Sequence, residues 1–164
     1  MIGRLHLSAV ALALLGTGGL CASSALAVCN SVPFRASFSG NASITGPTTT
    51  AFAGTGYATL MGRIANDGHV QITGSDSSCP GGVANINVET LTAANGDTLT
   101  VTSQDVACLT GPGRYHGSGH WTVTAGTGRF SATTGQGTFD GSSDFNAGVF
   151  TTTLTGTLVL NARS

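Results

Sequence analysis

Residues Trp121 to Gly141 read WTVTAGTGRFSATTGQGTFDG. The fold turns on how the glycines of this stretch are read. A phosphate-cradling G-x-G needs a strand before it and a helix after it, because the helix N-terminus supplies the amide dipoles that hold the anion. Here Gly126-Thr127-Gly128 is followed by Arg129-Phe130 and then by SATTGQGTF, whose glycines and β-branched threonines oppose a helix. The stretch therefore reads as strand, tight turn at TAGTG, strand. Gly135 and Gly137 lie two apart on one face of the second strand. Missing side chains there let a sheet coil sharply or let a bulky neighbour lie across it, and Phe139 and Trp121 are the candidates.

The flanking segments also carry period two. In FRASFSGNASI, Phe34, Ala36, Phe38, Gly40, Ala42 and Ile44 share one parity, and Arg35, Ser37, Ser39, Asn41 and Ser43 share the other. That is a half-buried strand. YATLMGRIANDGHVQIT reads as a hairpin around Asn66-Asp67-Gly68, with Ala58, Leu60, Gly62, Ile64, Val70 and Ile72 on the core face and Tyr57 and Met61 outside. Outward apolar residues of this kind suggest a subunit contact. NINVETLTAANGDTLTVTSQD reads as a hairpin with Asn95-Gly96 in a type I′ turn. That register sends Ile86, Val88, Leu99 and Val101 inward, Asn87, Glu89, Thr102 and Gln104 outward, and Asp105 onto the core face near the strand end. Tyr115, Trp121 and Val123 share a parity in the next strand, as do Phe150, Leu154, Leu158 and Leu160 in the last. No helical period of useful length appears. The expected fold is all-β, an eight-stranded antiparallel up-and-down β-barrel, since closure removes exposed strand edges.

The chain opens MIGRLHLSAVALALLGTGGLCASSALA. Arg4 precedes an apolar run from Leu7 to Leu20, and Ala25-Leu26-Ala27 fits the small-x-small cleavage rule. Residues 1–27 read as a secretory signal peptide and 28–164 as a single β-barrel domain. The run is shorter than the ~20 residues a membrane span needs and is interrupted by glycines, so no transmembrane segment is expected after processing. The expected location is secreted or periplasmic. Charge is sparse, with 6 Lys+Arg against 7 Asp+Glu and no lysine at all. There is no basic stripe to neutralise nucleic-acid phosphates and no basic patch for a membrane surface.

Beyond Cys21, which leaves with the signal peptide, Cys29, Cys79 and Cys108 remain. Cys79 lies just before the Asn95-Gly96 hairpin and Cys108 just after it, so both fall at the end opposite the turn. A Cys79–Cys108 disulfide is expected there, contributing roughly 3–4 kcal/mol by loop closure. Two readings stand for Cys29. It is a free or intermolecular thiol near the N-terminus, or it is lipidated at Leu26-Ala27-Val28-Cys29, an imperfect lipobox.

Few residues suggest chemistry. His116 and His120 lie four apart, which on a strand separates them by about 13 Å, too far to share one metal ion. His69 reads as a turn-flanking surface residue, and Arg129 as a structural ion-pair partner of Asp140 or Asp144. No serine sits in a G-x-S-x-G elbow. No metal or other cofactor is expected. For Asp105 two readings stand. It ends its strand in solvent, or it faces a barrel mouth beside Tyr115 and Trp121, where burial raises its pKa and lets it polarise a ligand.

TVTAGTGRFSATTGQGTF, with GYATLMGR and ETLTAANGDTL upstream, resembles the secreted bacterial proteins grouped with the allene oxide cyclase and dirigent barrels. The resemblance runs from about Phe34 to Leu160. It implies an eight-stranded antiparallel barrel with a central cavity, trimeric in many plant members, which guide cyclisation or radical coupling of small apolar molecules. The shared motifs are turns, and they carry no catalytic residue over to this chain. The leading expectation is a secreted, non-enzymatic barrel that binds a small apolar ligand or serves as a surface protein. The alternatives are an isomerase- or cyclase-like barrel that orients a reactive molecule, and a structural envelope or adhesion module. An acid or base deep inside the barrel separates the first two.

Overall fold

The computed structural model describes residues 30–160. Residues 1–27, expected to be a signal peptide, and Cys29 lie outside the described residues. Eight strands follow in order: β1 (Asn30–Gly46), β2 (Thr49–Ala58), β3 (Gly62–Asp76), β4 (Gly82–Ala93), β5 (Thr98–Gly111), β6 (Arg114–Gly126), β7 (Thr134–Asp144) and β8 (Val149–Leu160). Each pairs antiparallel with the next, and β8 returns to β1 to close an up-and-down barrel. A single 3-10 turn, Gly128–Phe130, lies between β6 and β7.

The interior is assembled by opposing rings with glycines. Phe34 lies opposite Gly156, Phe38 opposite Gly56, Phe52 opposite Gly68, Trp121 opposite Gly137, Phe139 opposite Gly119 and Phe150 opposite Gly40. An eight-stranded barrel is just wide enough for side chains to fill, so each large ring needs a neighbour without one. A Cβ added at Gly156 would lie 2.8 Å from Trp121 Cζ2 and 2.2 Å from the Gln136 carbonyl oxygen. The GQG of the opening stretch is thus explained by packing: Gly137 faces Trp121, and Gly135 faces Leu158.

The two ends of the barrel differ. At the end holding the 59–61, 94–96 and 127–133 connections, Phe34, Met61, Leu91, Leu99, Trp121, Phe130 and Leu158 are buried in one continuous core. At the other end the core gives way to an open mouth. Cys79 and Cys108 form a disulfide there, with Cα atoms 5.8 Å apart and a sequence separation of 29.

Several local expectations are corrected. The chain does not turn at Asn66-Asp67-Gly68, which runs straight through β3 opposite Gly54, Ala53 and Phe52. Gly68 is required for space, because a Cβ there would lie 2.7 Å from the Phe52 ring. The reversal comes earlier, at residues 59–61, where Leu60 (φ 68°) and Gly62 (φ 72°) adopt left-handed backbone. That turn breaks the alternation, so Met61 is buried and Leu60 is exposed, the opposite of the strand reading, while Tyr57 does face outward. Along β1 the inward face holds through Ala42, but Ile44 is exposed at the mouth. His69 is a mid-strand outward residue rather than a turn neighbour. Arg129 pairs with Asp97 at 3.7 Å, not with Asp140 or Asp144, and Asp144 is taken by Arg114 at 2.8 Å.

The most consequential correction is at Asn95-Gly96. The Ala93 N–H donates to the Asp97 carbonyl and the Gly96 N–H to the Ala93 carbonyl, with Gly96 at φ +86°. This is a three-residue loop with a left-handed glycine, one residue longer than the type I′ turn. Leu91 now faces Leu99, and Glu89, Asn87 and Asn85 face Val101, Ser103 and Asp105. A one-residue shift turns every side chain of a strand to the other face. Glu89 and Asn87 therefore point inward, while Ile86 is exposed and lies opposite Gln104. The compensating gain is that Leu91 and Ala93 enter the closed-end core.

Candidate functional site

The open end of the barrel is a cup of about 340 Å³, at the small end of the range for ligand pockets. Its walls are apolar, from Phe52 on β2, Val70 and Ile72 on β3, Phe139 on β7, and Phe150 on β8, with Phe145 from the β7–β8 turn. Its polar residues include four on two adjacent strands: Asn85, Asn87 and Glu89 of β4, and Asp105 of β5. Residues two apart on a strand share a face, so β4 presents three inward polar side chains in succession. The next inward residues, Leu91 and Ala93, belong to the closed-end core. These four polar residues form the cup's floor.

All four floor residues are buried, with Glu89 only 2% exposed and Asp105 7%. The Asn87 amide donates to Asp105 Oδ1 at 2.8 Å and the Asn85 amide to Oδ2 at 3.3 Å. Burial raises the Asp105 pKa, and the two amide donors oppose that rise. Glu89 is pushed up to about 8, first by burial and then by the neighbouring Asp105 charge. At neutral pH Glu89 therefore holds a proton beside Asp105, whose carboxylate form burial disfavours and the two amides favour. The β6 neighbours make room for this acid. A Cβ at Gly117 would lie 2.7 Å from Asp105 Oδ2, and one at Gly119 would lie 2.9 Å from Asp105 Cβ.

Hydrogen bonding in the floor is incomplete within the protein. Asn85 Oδ1, Asn87 Oδ1 and Glu89 Oε2 have no protein partner, nor do both amide atoms of Asn66, Ser103 Oγ and Trp121 Nε1. Buried polar atoms are normally paired, and leaving one unpaired costs about 1–3 kcal/mol. A barrel evolved only for stability would fill these positions with apolar side chains.

Of the residues singled out in the sequence, Asp105 and Tyr115 line the cup, and Tyr115 stacks edge-on against Phe145 at 5.9 Å. Trp121 does not line it. Six residues along a strand from Tyr115 cover about 20 Å, which carries Trp121 into the closed-end core, edge-on to Phe34 at 5.6 Å. Glu89, Asn85 and Asn87 were not anticipated as site residues. Their signal was the polar alternation N-I-N-V-E itself, readable as a site only once the loop length was known.

On the outer face the barrel brings together a serine, a histidine and an aspartate. His116 Nδ1 lies 3.2 Å from Ser142 Oγ, and His116 Nε2 lies 3.4 Å from Asp140 Oδ2. The group is exposed on the outer surface, with the His116 and Asp140 side chains 47% and 67% accessible. Ser142 also lines the rim of the cup, but no helix N-terminus lies at the group, and the strand amides around it belong to the sheet ladder. It lacks the oxyanion donors that acyl transfer needs. Among the described residues no three His, Cys, Asp or Glu side chains are placed to hold a metal ion, and no helix is long and apolar enough to cross a membrane. The disulfide is chemistry of an oxidising compartment. Comparison of the chain with protein-family models, with curated proteins and with solved structures returns no match.

Proposed function

We propose that this protein is an extracytoplasmic barrel that binds a small, largely apolar molecule, seated in the cup with its polar end on the Asn85–Asn87–Glu89–Asp105 floor. One observation carries the reading. An open apolar-walled cavity ends on buried polar groups whose oxygens lack protein partners. Ligand sites combine mostly apolar walls with a few convergent polar groups in this way. The resemblance to the allene oxide cyclase and dirigent barrels points in the same direction, and the disulfide supports the compartment. The purely structural alternative is disfavoured, because a structural barrel gains nothing from a buried acid pair.

The test is calorimetric titration of the mature, oxidised protein with 1-heptanol, 2-heptanone and n-heptylamine, on the wild type and on Ala107→Phe. Ala107 lines the cup, and a phenyl ring there occupies ligand space. At least one probe should bind the wild type, and the variant, shown to be folded by its thermal melt, should bind about tenfold more weakly or worse. No binding at millimolar probe, or binding indifferent to Ala107→Phe, overturns the proposal.

The Glu89–Asp105 pair favours a second, catalytic reading. An acid whose pKa sits near neutrality beside a carboxylate suits proton transfer in an isomerisation. That reading requires a ligand recovered chemically changed from the wild type and unchanged from Glu89→Gln. Equal conversion by both proteins rules it out.

A further inference from the structure

The floor's hydrogen-bond polarity selects among ligand head groups. Asp105 accepts from the Nδ2 atoms of both Asn85 and Asn87. A carboxylate can only accept, so these contacts fix how both amides are turned. Each amide presents its Oδ1 elsewhere, and both Oδ1 atoms are without a protein partner, as is Glu89 Oε2. The unpartnered polar atoms of the cup floor are thus all oxygens. A head group that only accepts hydrogen bonds can take the Glu89 proton and the second N–H of each amide, but it leaves all three unpartnered oxygens unmet.

The charge of the cup points the same way. Glu89 and Asp105 line it, while no arginine or histidine does, and the chain has no lysine. Arg114, adjacent in sequence to the cup-lining Tyr115, has its guanidinium engaged by Asp144. The walls are rings and branched aliphatic side chains, and aromatic faces attract cations while excluding water.

Resting on the binding role proposed above, we infer that the ligand is an apolar amine, its ammonium donating to Glu89 and the Asn87 carbonyl oxygen beside Asp105, its hydrocarbon body against Phe52, Phe139 and Phe150. An ammonium offers three donors and one positive charge. It donates to an acceptor-rich floor and matches the acid pair in sign. On binding, the Glu89 carboxyl releases its proton to solvent and its carboxylate pairs with the ammonium.

Proton release gives the inference a signature. Amine affinity should rise as the pH increases from 6 towards 9, up to the range where the free amine itself loses its proton. A ketone that accepts from protonated Glu89 would bind more weakly over the same interval. The titratable groups of the cup that bear on this are Glu89 on β4, Asp105 on β5 and Tyr115 on β6. Strands β1, β2, β3, β7 and β8 contribute none to its lining.

The experiment is the same probe series, titrated at pH 6, 7, 8 and 9 on the wild type, Glu89→Gln and Asp105→Asn. The expected result is n-heptylamine preferred over 1-heptanol by about tenfold or more at pH 8, with the preference growing with pH and shrinking in both variants. Ketone or alcohol bound as tightly as the amine overturns the amine inference and leaves the binding role standing. Amine affinity that falls with pH, or a preference intact in both variants, also overturns it. Failure of all three probes to bind overturns both readings. The wild-type pH series needs no variant to fold.

Discussion

Glu89 should make this protein less stable as the pH rises through neutrality. Its carboxyl is buried at 2% exposure, and its pKa stands at about 8 against an ordinary value of 4.5. An acid whose folded pKa lies above its unfolded one holds its proton more tightly in the folded state. Its contribution to stability is complete below about 4.5 and is lost as the pH climbs through 8. The separation is about 3.5 pH units, and at about 1.36 kcal/mol per unit the loss is about 5 kcal/mol. Domains of this size have only 5–15 kcal/mol in total, so the effect should be large. Asp105, also raised by burial, acts with the same sign. Asp76 and Asp144 are half-buried and lowered, mainly by hydrogen bonds, so what they contribute is lost only as the pH falls through their acidic pKa values, below this window. The assay is urea denaturation with the disulfide intact, from pH 5 to pH 9. About 4 kcal/mol of that loss falls between pH 5 and pH 9, so with an m value of about 2 kcal/mol/M the wild-type midpoint should fall by roughly 2 M. Glu89→Gln keeps the shape and removes the titration, so its midpoint should be nearly flat and should exceed that of the wild type above pH 8. A wild-type midpoint that is constant or rising over this range, or a Gln variant with the same slope, would refute the placement of an ionisable Glu89 inside the barrel.

Asp105→Asn removes the charge that is the second cause of the Glu89 shift. The Glu89 midpoint, read by carbon-13 NMR of its carboxyl, should fall below the wild-type value yet stay above 4.5, because burial remains. Gly156→Ala should lower stability by about 1–3 kcal/mol or more, since the new methyl would meet a backbone carbonyl oxygen at 2.2 Å and the Trp121 ring at 2.8 Å. Gly74→Ala has open space and should stay within about 0.5 kcal/mol of wild type, so equal losses from the two would contradict the packing argument. Replacing Cys79 and Cys108 together by serine should cost roughly 3–4 kcal/mol in denaturant titration, and a change under about 1 kcal/mol would show that the bridge does not constrain the unfolded chain.

What could be read from the sequence was whatever rests on parity within a strand. The inward faces of β6 and β8 and of β1 through Ala42, the barrel class and the Cys79–Cys108 pairing needed only alternation and neighbouring turns. Parity fails where two readings of a turn compete. Asn66-Asp67-Gly68 has ideal turn composition, but its glycine serves the Phe52 ring on the adjacent strand. That contact joins residues far apart in the chain, which no local pattern contains. The turn that does form, at residues 59–61, carries a left-handed leucine and none of the usual turn residues in its centre.

The Asn95-Gly96 loop shows why the site was less legible than the fold. Asn-Gly suits both a two-residue turn and the last positions of a three-residue loop. Each register buries a plausible apolar set. The shorter loop brings in Ile86 and Val88, and the longer one brings in Val83, Leu91 and Ala93. Local hydrophobicity does not separate them. The closed end of the barrel does, because Leu91 and Ala93 pack with Leu99, Phe130 and Trp121 in one cluster, and that cluster is assembled from segments distant in sequence. Once it fixes the register, the residues further along the same face of β4 have no freedom left. Glu89, Asn87 and Asn85 are carried inward towards Asp105, whichever environment they would prefer in isolation. The acidic floor of the cup is therefore held in place by apolar packing at the opposite end of the barrel. A substitution that loosened Leu91 or Ala93 would act on the site through strand register, without touching any residue that lines the cup.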